Sequence, residues 1–133
     1  MVTTLIVDDS EDTRWVLTQL VEYAGGTVLG QVASAQEALQ WLRGQRVDLV
    51  LTDYQMPGML GDELVRRIRA SWPRLRVALI SVVSDGDLTQ KARDAGAEWL
   101  LSKPVTVSLM RRVLQSAVVY GSRAPRVPLR LSD

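Results

Sequence analysis

The chain has 133 residues, with 16 Lys or Arg against 15 Asp or Glu and 47% hydrophobic residues, a size and composition suited to one domain around one sizeable core. It contains neither cysteine nor histidine, which excludes disulfides, thiolate zinc sites, an imidazole base and a phosphohistidine relay on this chain. Acid-base or metal chemistry therefore falls to carboxylates, and the net charge of +1 offers no broad field toward nucleic acid or membrane.

The N-terminus, MVTTLIVDD, lacks a basic stretch, and its apolar run stops at two aspartates, so neither a signal peptide nor a membrane span is expected. From there, β-branched and leucine-rich runs alternate with amphipathic stretches, the pattern of βαβ units around a parallel sheet. Strands are predicted over Thr4 to Val7, Thr27 to Ala33, Val47 to Thr52, Arg76 to Val82 and Trp99 to Leu101. The first helix presents Val16, Leu17, Leu20, Val21 and Ala24 on one face and stops at Gly25-Gly26, a glycine pair suited to ending it. The second opens with Ser34 and Glu37 at capping-box spacing and turns Ala35, Ala38, Leu39 and Leu42 inward. A third runs from about Asp62 to Trp72, stopped by Pro73, with Leu64, Val65 and Ile68 inward. A fourth, from about Gly86 to Ala95, has only Leu88, Ala92 and Ala95 to pack. The fifth, Val107 to Tyr120, carries Leu109, Val113, Leu114 and Ala117 at core spacing and leaves Met110 exposed. Residues 1–120 thus read as the domain, and 121–133, with two prolines and Arg123, Arg126 and Arg130, as a tail or linker of solvated charge. Trp15 and Trp41 are expected to cover core edges.

In open parallel sheets, ligands bind outside the carboxyl ends of the strands. Asp8 and Asp9 follow the first strand, Asp53 the third, Ser81 ends the fourth, and Lys103-Pro104 follows the fifth. With the strands ordered 2-1-3-4-5, as in a flavodoxin-like doubly wound sheet, these ends share one pocket. Three crowded carboxylates repel one another and make chemical sense around a hard divalent cation, for which Mg²⁺ is the natural candidate. A lysine ammonium and a serine hydroxyl opposite them suit the oxygens of a transferring phosphoryl group. Asp53, the central carboxylate, is then the nucleophile, and an acyl phosphate the product. Taken singly, each residue has a plainer reading as a solvated turn, a strand-end cap or a surface charge. Their joint placement decides for the site.

Four segments then carry a family resemblance: LIVDD, LVLTDYQMPGMLG, LISVVSD and AGAEWLLSKP. In this order, over about Thr3 to Tyr120, they resemble the receiver domain of bacterial two-component response regulators. The resemblance implies an α/β fold with a five-stranded parallel sheet in the order 2-1-3-4-5 and five helices. It implies Asp53 as phosphoacceptor, Asp9 as a direct Mg²⁺ ligand, Asp8 as a largely water-mediated one, and the main-chain carbonyl of Gln55 as a further ligand. Ser81 would bond the phosphoryl group, Lys103 would pair with it, and the Lys103-Pro104 bond would be cis. Where most receivers have Tyr or Phe three residues before the lysine, this chain has Leu100, preceded by Trp99. Three outcomes follow: Leu100 makes a smaller repacking, Trp99 takes over the aromatic's part, or the domain signals without that coupling.

The function implied is a cytoplasmic phosphoacceptor switch that takes its phosphoryl group from a histidine kinase, a phosphotransfer protein or a small acyl phosphate. It would act through its fourth helix, fifth strand and fifth helix, with self-dephosphorylation and phosphorylation-dependent dimerisation as further expectations. Two alternatives compete with it. One is a receiver-like scaffold that works without phosphorylation, kept open by Leu100. The other is a phosphohydrolase with an aspartyl nucleophile, which lacks its usual second acid because Gln55 stands two residues after Asp53.

Overall fold

The computed structural model describes residues 1–82, 86–119 and 129–131, and of Val119 and 129–131 the main chain only. The elements follow one another as β1 (Thr3–Val7), α1 (Glu11–Tyr23), β2 (Thr27–Val32), α2 (Ala35–Gly44), β3 (Leu49–Asp53), α3 (Gly61–Ser71), β4 (Arg76–Ser81), α4 (Gly86–Ala95), β5 (Trp99–Ser102), α5 (Val107–Val119) and β6 (Leu129–Leu131). All paired strands are parallel, in the order β2-β1-β3-β4-β5-β6. The predicted order of the first five is borne out. The end of the last helix at Tyr120, and the tail arginines Arg123 and Arg126, lie outside the described residues.

Helix starts follow local chemistry. Ser10 accepts a hydrogen bond from the Thr13 N–H at the start of α1, with Glu11 and Asp12 in the first turn, where carboxylates favour the positive end of the helix. Ser34 accepts from the Glu37 N–H, and Glu37 in return accepts from the Ala33 N–H. Alternation along the strands sorts side chains to two apolar layers. On one face, Val50, Val77, Leu79 and Leu100 pack with residues of α2, α3 and α4. On the other, Ile6, Leu51, Ala78, Ile80, Trp99 and Leu101 pack with residues of α1 and α5.

Several expectations need correction. Val16 and Trp15 are exposed, because the inward stripe of α1 is carried by Leu17 and Val21, with Leu20 and Ala24 partly buried. Trp41 does cover a core edge: its ring lies over Gly30, where a Cβ would come within 2.7 Å of it. Met110 is fully buried rather than exposed; it precedes Val113 and Leu114 on the face of α5 that meets the sheet.

The sheet also has a sixth strand. Leu129, Arg130 and Leu131, from the segment read as tail, pair with Trp99, Leu100 and Leu101. Three residues of mixed polarity directly after Pro128 give too little pattern to mark a strand. What recruits them is the free edge of β5, an apolar edge that parallel pairing covers. Helix α5 lies on the same face as α1, yet the step β5-α5-β6 runs along the sheet in the direction opposite to β1-α1-β2.

Candidate phosphoacceptor and metal site

The four strand ends converge as expected. Asp53 is the last residue of β3 and pairs with Ile80 of β4; Ser81 ends β4; Asp8 and Asp9 follow β1; Lys103 follows β5. One carboxylate oxygen from each of Asp8, Asp9 and Asp53 lies within 4.8 Å of the others. Asp8 and Asp53 are buried, whereas Asp9 is exposed. The Lys103 Nζ stands 3.3 Å from Asp53 Oδ1 and 3.7 Å from Asp8 Oδ2. Burial raises the pKa of Asp53 above its ordinary value; the Lys103 charge opposes that rise and the Asp8 charge adds to it.

The chain holds these groups by main-chain chemistry. Asp8 Oδ1 accepts from the Ser10 N–H at 2.9 Å, and Arg14 Nη1 donates to the Asp8 carbonyl at 2.7 Å. Asp8 Oδ2 is buried and has no hydrogen-bond partner within the protein, a state that burial penalises unless a cation or donor meets it. The Lys103 N–H donates to the Ser81 carbonyl, tying the end of β4 to the turn, and the Lys103-Pro104 bond is cis. The Tyr54 N–H donates to the Ile80 carbonyl, and the Gly61 N–H to the Tyr54 carbonyl. This last bond folds the loop 54–60 back over the end of β3, with Gln55 exposed in it and Met56 buried.

Leu100 is buried among the residues facing α2, α3 and α4. Ser81 follows Leu79 by two residues in β4, so alternation turns it to that same face. Trp99 lies on the opposite face, fully buried with α5, and its Nε1 has no hydrogen-bond partner. A one-residue offset in a strand reverses the side, so Trp99 does not occupy the position in which an aromatic would neighbour Ser81.

Some contributors escaped the reading of the sequence. Arg14 carried no signal, since its task is to bond a main-chain oxygen six residues away. Gly61 did carry one, as a glycine directly at the start of a helix that has no side-chain cap.

A family model described as the response regulator receiver domain matches residues 4–115. The chain belongs to this family. Among curated relatives, this receiver domain is 35% identical over 104 residues to the response regulator UvrY of Escherichia coli strain K12, covering 77% of the present chain and 48% of UvrY. It therefore spans about half the length of that relative. Among solved structures, a response regulator receiver domain protein from Clostridium thermocellum matches with a TM-score of 0.82 and 27% identity, covering 90% of this chain and 95% of that one. The chemotaxis response regulator CheY4 of Vibrio cholerae matches with a TM-score of 0.79 and 27% identity, covering 88% and 98%. Among the described residues, no helix is long and apolar enough to cross a membrane.

Proposed function

We propose that this receiver domain is a phosphoacceptor switch in which Asp53 takes a phosphoryl group from a histidine kinase, a phosphotransfer protein or a small acyl phosphate. The observation that carries this is the cluster of Asp8, Asp9 and Asp53 with Lys103 3.3 Å from Asp53. An Asp53 oxygen attacks phosphorus, the bond to the donor atom breaks, and the donor leaves with the electron pair. Lys103 pairs with the charge on the transferred oxygens, and Ser81 bonds one of them.

The donor set fits Mg²⁺: three carboxylates, no nitrogen or sulfur ligand, and a buried Asp8 oxygen without a hydrogen-bond partner. Asp8, Asp9, Asp53 and the Gln55 carbonyl would hold it. Once bound, Mg²⁺ supplies the positive charge that three crowded carboxylates and an incoming phosphoryl group lack.

An apolar groove of about 380 Å³, lined by Val16, Leu17, Leu20, Val82 and Pro104 together with Lys103, opens beside the site. Its exposed Val16 and Val82 support docking of a protein donor there. Output would pass through α4, β5 and α5 by a repacking of Leu100, the residue on the Ser81 face. Leu100 also keeps a second reading, a scaffold independent of phosphorylation. The cytoplasm is the proposed setting. Phosphorylation-dependent dimerisation, now without an exposed Met110, rests on α4 alone.

Intact mass after incubation with acetyl phosphate tests the proposal. A gain of one phosphoryl group that requires Mg²⁺ and is lost in Asp53→Ala is expected. No gain in the wild type with Mg²⁺ present overturns it in favour of the scaffold.

A further inference from the structure

Helices α1 and α5 lie side by side on one face of the sheet. Together they carry half of the large apolar side chains left exposed among the described residues: Trp15, Val16 and Tyr23 on α1, and Val118 on α5. Tyr23 is 75% exposed and Val118 68%. Val16 and Tyr23, seven residues apart, share one side of α1, with Trp15 next to Val16. Arg111 of α5 joins the two helices at the surface, its guanidinium carbon 5.9 Å from the centre of the Tyr23 ring. Single exposed apolar residues are ordinary, whereas a group of them across two neighbouring helices marks an interaction surface.

The charges around this patch are divided between the helices. Helix α5 has Arg111 and Arg112 and no acid. Helix α1 has Glu11, Asp12 and Glu22 against a single base, Arg14, whose Nη1 is turned to the Asp8 carbonyl. An acidic helix beside a basic one complements its own image when a two-fold axis runs along the line between them, because that rotation lays α1 of each copy on α5 of the other. Each residue turns a helix by 100°. With Val21 inward and Tyr23 toward α5, Glu22 falls on the flank of α1 away from α5; with Val113 inward and Arg111 toward α1, Arg112 falls on the flank of α5 away from α1. The rotation brings those two flanks together. It also keeps residues at their height along the helices, so Glu22 and Arg112, neighbours of the stacked Tyr23 and Arg111, stand level across the interface.

We propose that the α1–α5 face pairs with a second copy of this chain, in a two-fold dimer that does not require phosphorylation of Asp53. Val16, Tyr23 and Val118 form its apolar centre, and Glu22 meets Arg112 of the other copy twice at the rim. Each helix has 13 residues and is therefore about 20 Å long, and two side by side are about 20 Å wide. A face of that size suits a small specific interface.

The test is sedimentation equilibrium of the full, unphosphorylated chain in EDTA, from about 1 μM to about 500 μM, a range that brackets micromolar affinity. A reversible monomer–dimer equilibrium, weakened by added salt, is expected. Glu22→Arg and Arg112→Glu should each raise the Kd roughly tenfold, since two-fold symmetry makes every substitution act twice. The double variant Glu22→Arg/Arg112→Glu should return it close to the wild-type value. Both side chains are exposed, so the variants should keep their fold, which circular dichroism checks. A chain that stays monomeric throughout overturns the proposal and leaves the face to a different protein. A dimer indifferent to the single reversals, or one that the double variant fails to restore, overturns it as well and puts the contact on another surface.

Discussion

A Cβ placed on Gly61 would lie 2.4 Å from the main-chain oxygen of Asp53. Closer approach than any side chain tolerates is what lets α3 begin directly beneath the end of β3, and the Gly61 N–H to Tyr54 carbonyl bond of 2.7 Å depends on it. The same Cβ would meet Leu79 Cδ1 at 2.7 Å and Tyr54 Cα at 2.8 Å, so two of its three neighbours are main chain and cannot swing aside. Gly61→Ala is expected to cost roughly 3 kcal/mol of stability in urea denaturation, at the upper end for overpacking. It should also slow phosphoryl incorporation, since the loop carrying Gln55 shifts with it. A variant as stable as the wild type would show that the helix start can move freely.

Lys103 is the cation in contact with both buried carboxylates of the site. Replacing it by Met keeps much of the volume and removes the charge, leaving Asp8 and Asp53 to repel one another in a buried setting. In EDTA at neutral pH, Lys103→Met should lose about 2 kcal/mol, less than a fully buried pair because the ammonium is partly solvated. Mg²⁺ should restore more stability to the variant than it adds to the wild type, since it replaces the lost charge. Equal gains from Mg²⁺ in the two proteins would contradict that account.

Asp53 carries the opposite sign. Its folded pKa is raised above 3.8, first by burial and then by the Asp8 charge, with Lys103 opposing. A group raised in this way favours folding fully below its unfolded value and loses that contribution as pH rises through the folded one. In EDTA at neutral pH, Asp53→Asn is therefore expected to melt above the wild type by ~3 °C. The gap should close as pH falls toward 4. A melting temperature for Asp53→Asn below that of the wild type at neutral pH would mean that the Lys103 pairing outweighs burial.

Much of this site was legible because it consists of strand ends. An apolar run announces a buried strand, and the polar residue that follows it lands at the sheet's carboxyl edge whatever the loops do. Asp53, Ser81 and Lys103 could be placed on that ground alone. What was hidden depends on geometry that no period encodes. Met110 and Val16 each lie at the margin of a helical stripe, and only the angle at which α5 and α1 meet the sheet decides that the first is buried and the second exposed. Trp99 was offered as a substitute for an aromatic at Leu100, although alternation separates the two by the full thickness of the sheet. Strand β6 left no mark because three residues are too few to show a period, and its partner is an edge 30 residues earlier.

The last hidden feature is an ionic network at the far end of the sheet. Glu98 is 1% exposed, and Arg69 reaches it while also donating to the carbonyls of Pro73, Leu75 and Gly96. Arg69 thus ties the end of α3 to the loops before β4 and β5. Burial raises the Glu98 pKa above its ordinary 4.5, with Arg69 the main opposing charge. From about that value upward, the folded wild type must give up a proton it holds more tightly than the unfolded chain, so this group's contribution falls as pH rises through the folded pKa. Glu98→Gln removes the titration. The stability of the wild type minus that of Glu98→Gln, followed by urea denaturation across the acid range, should therefore decrease with rising pH and then level off once Glu98 is ionised. Increase over the same range would require the arginines to outweigh burial, which would place the folded pKa below 4.5 and make the network a net source of stability at neutral pH.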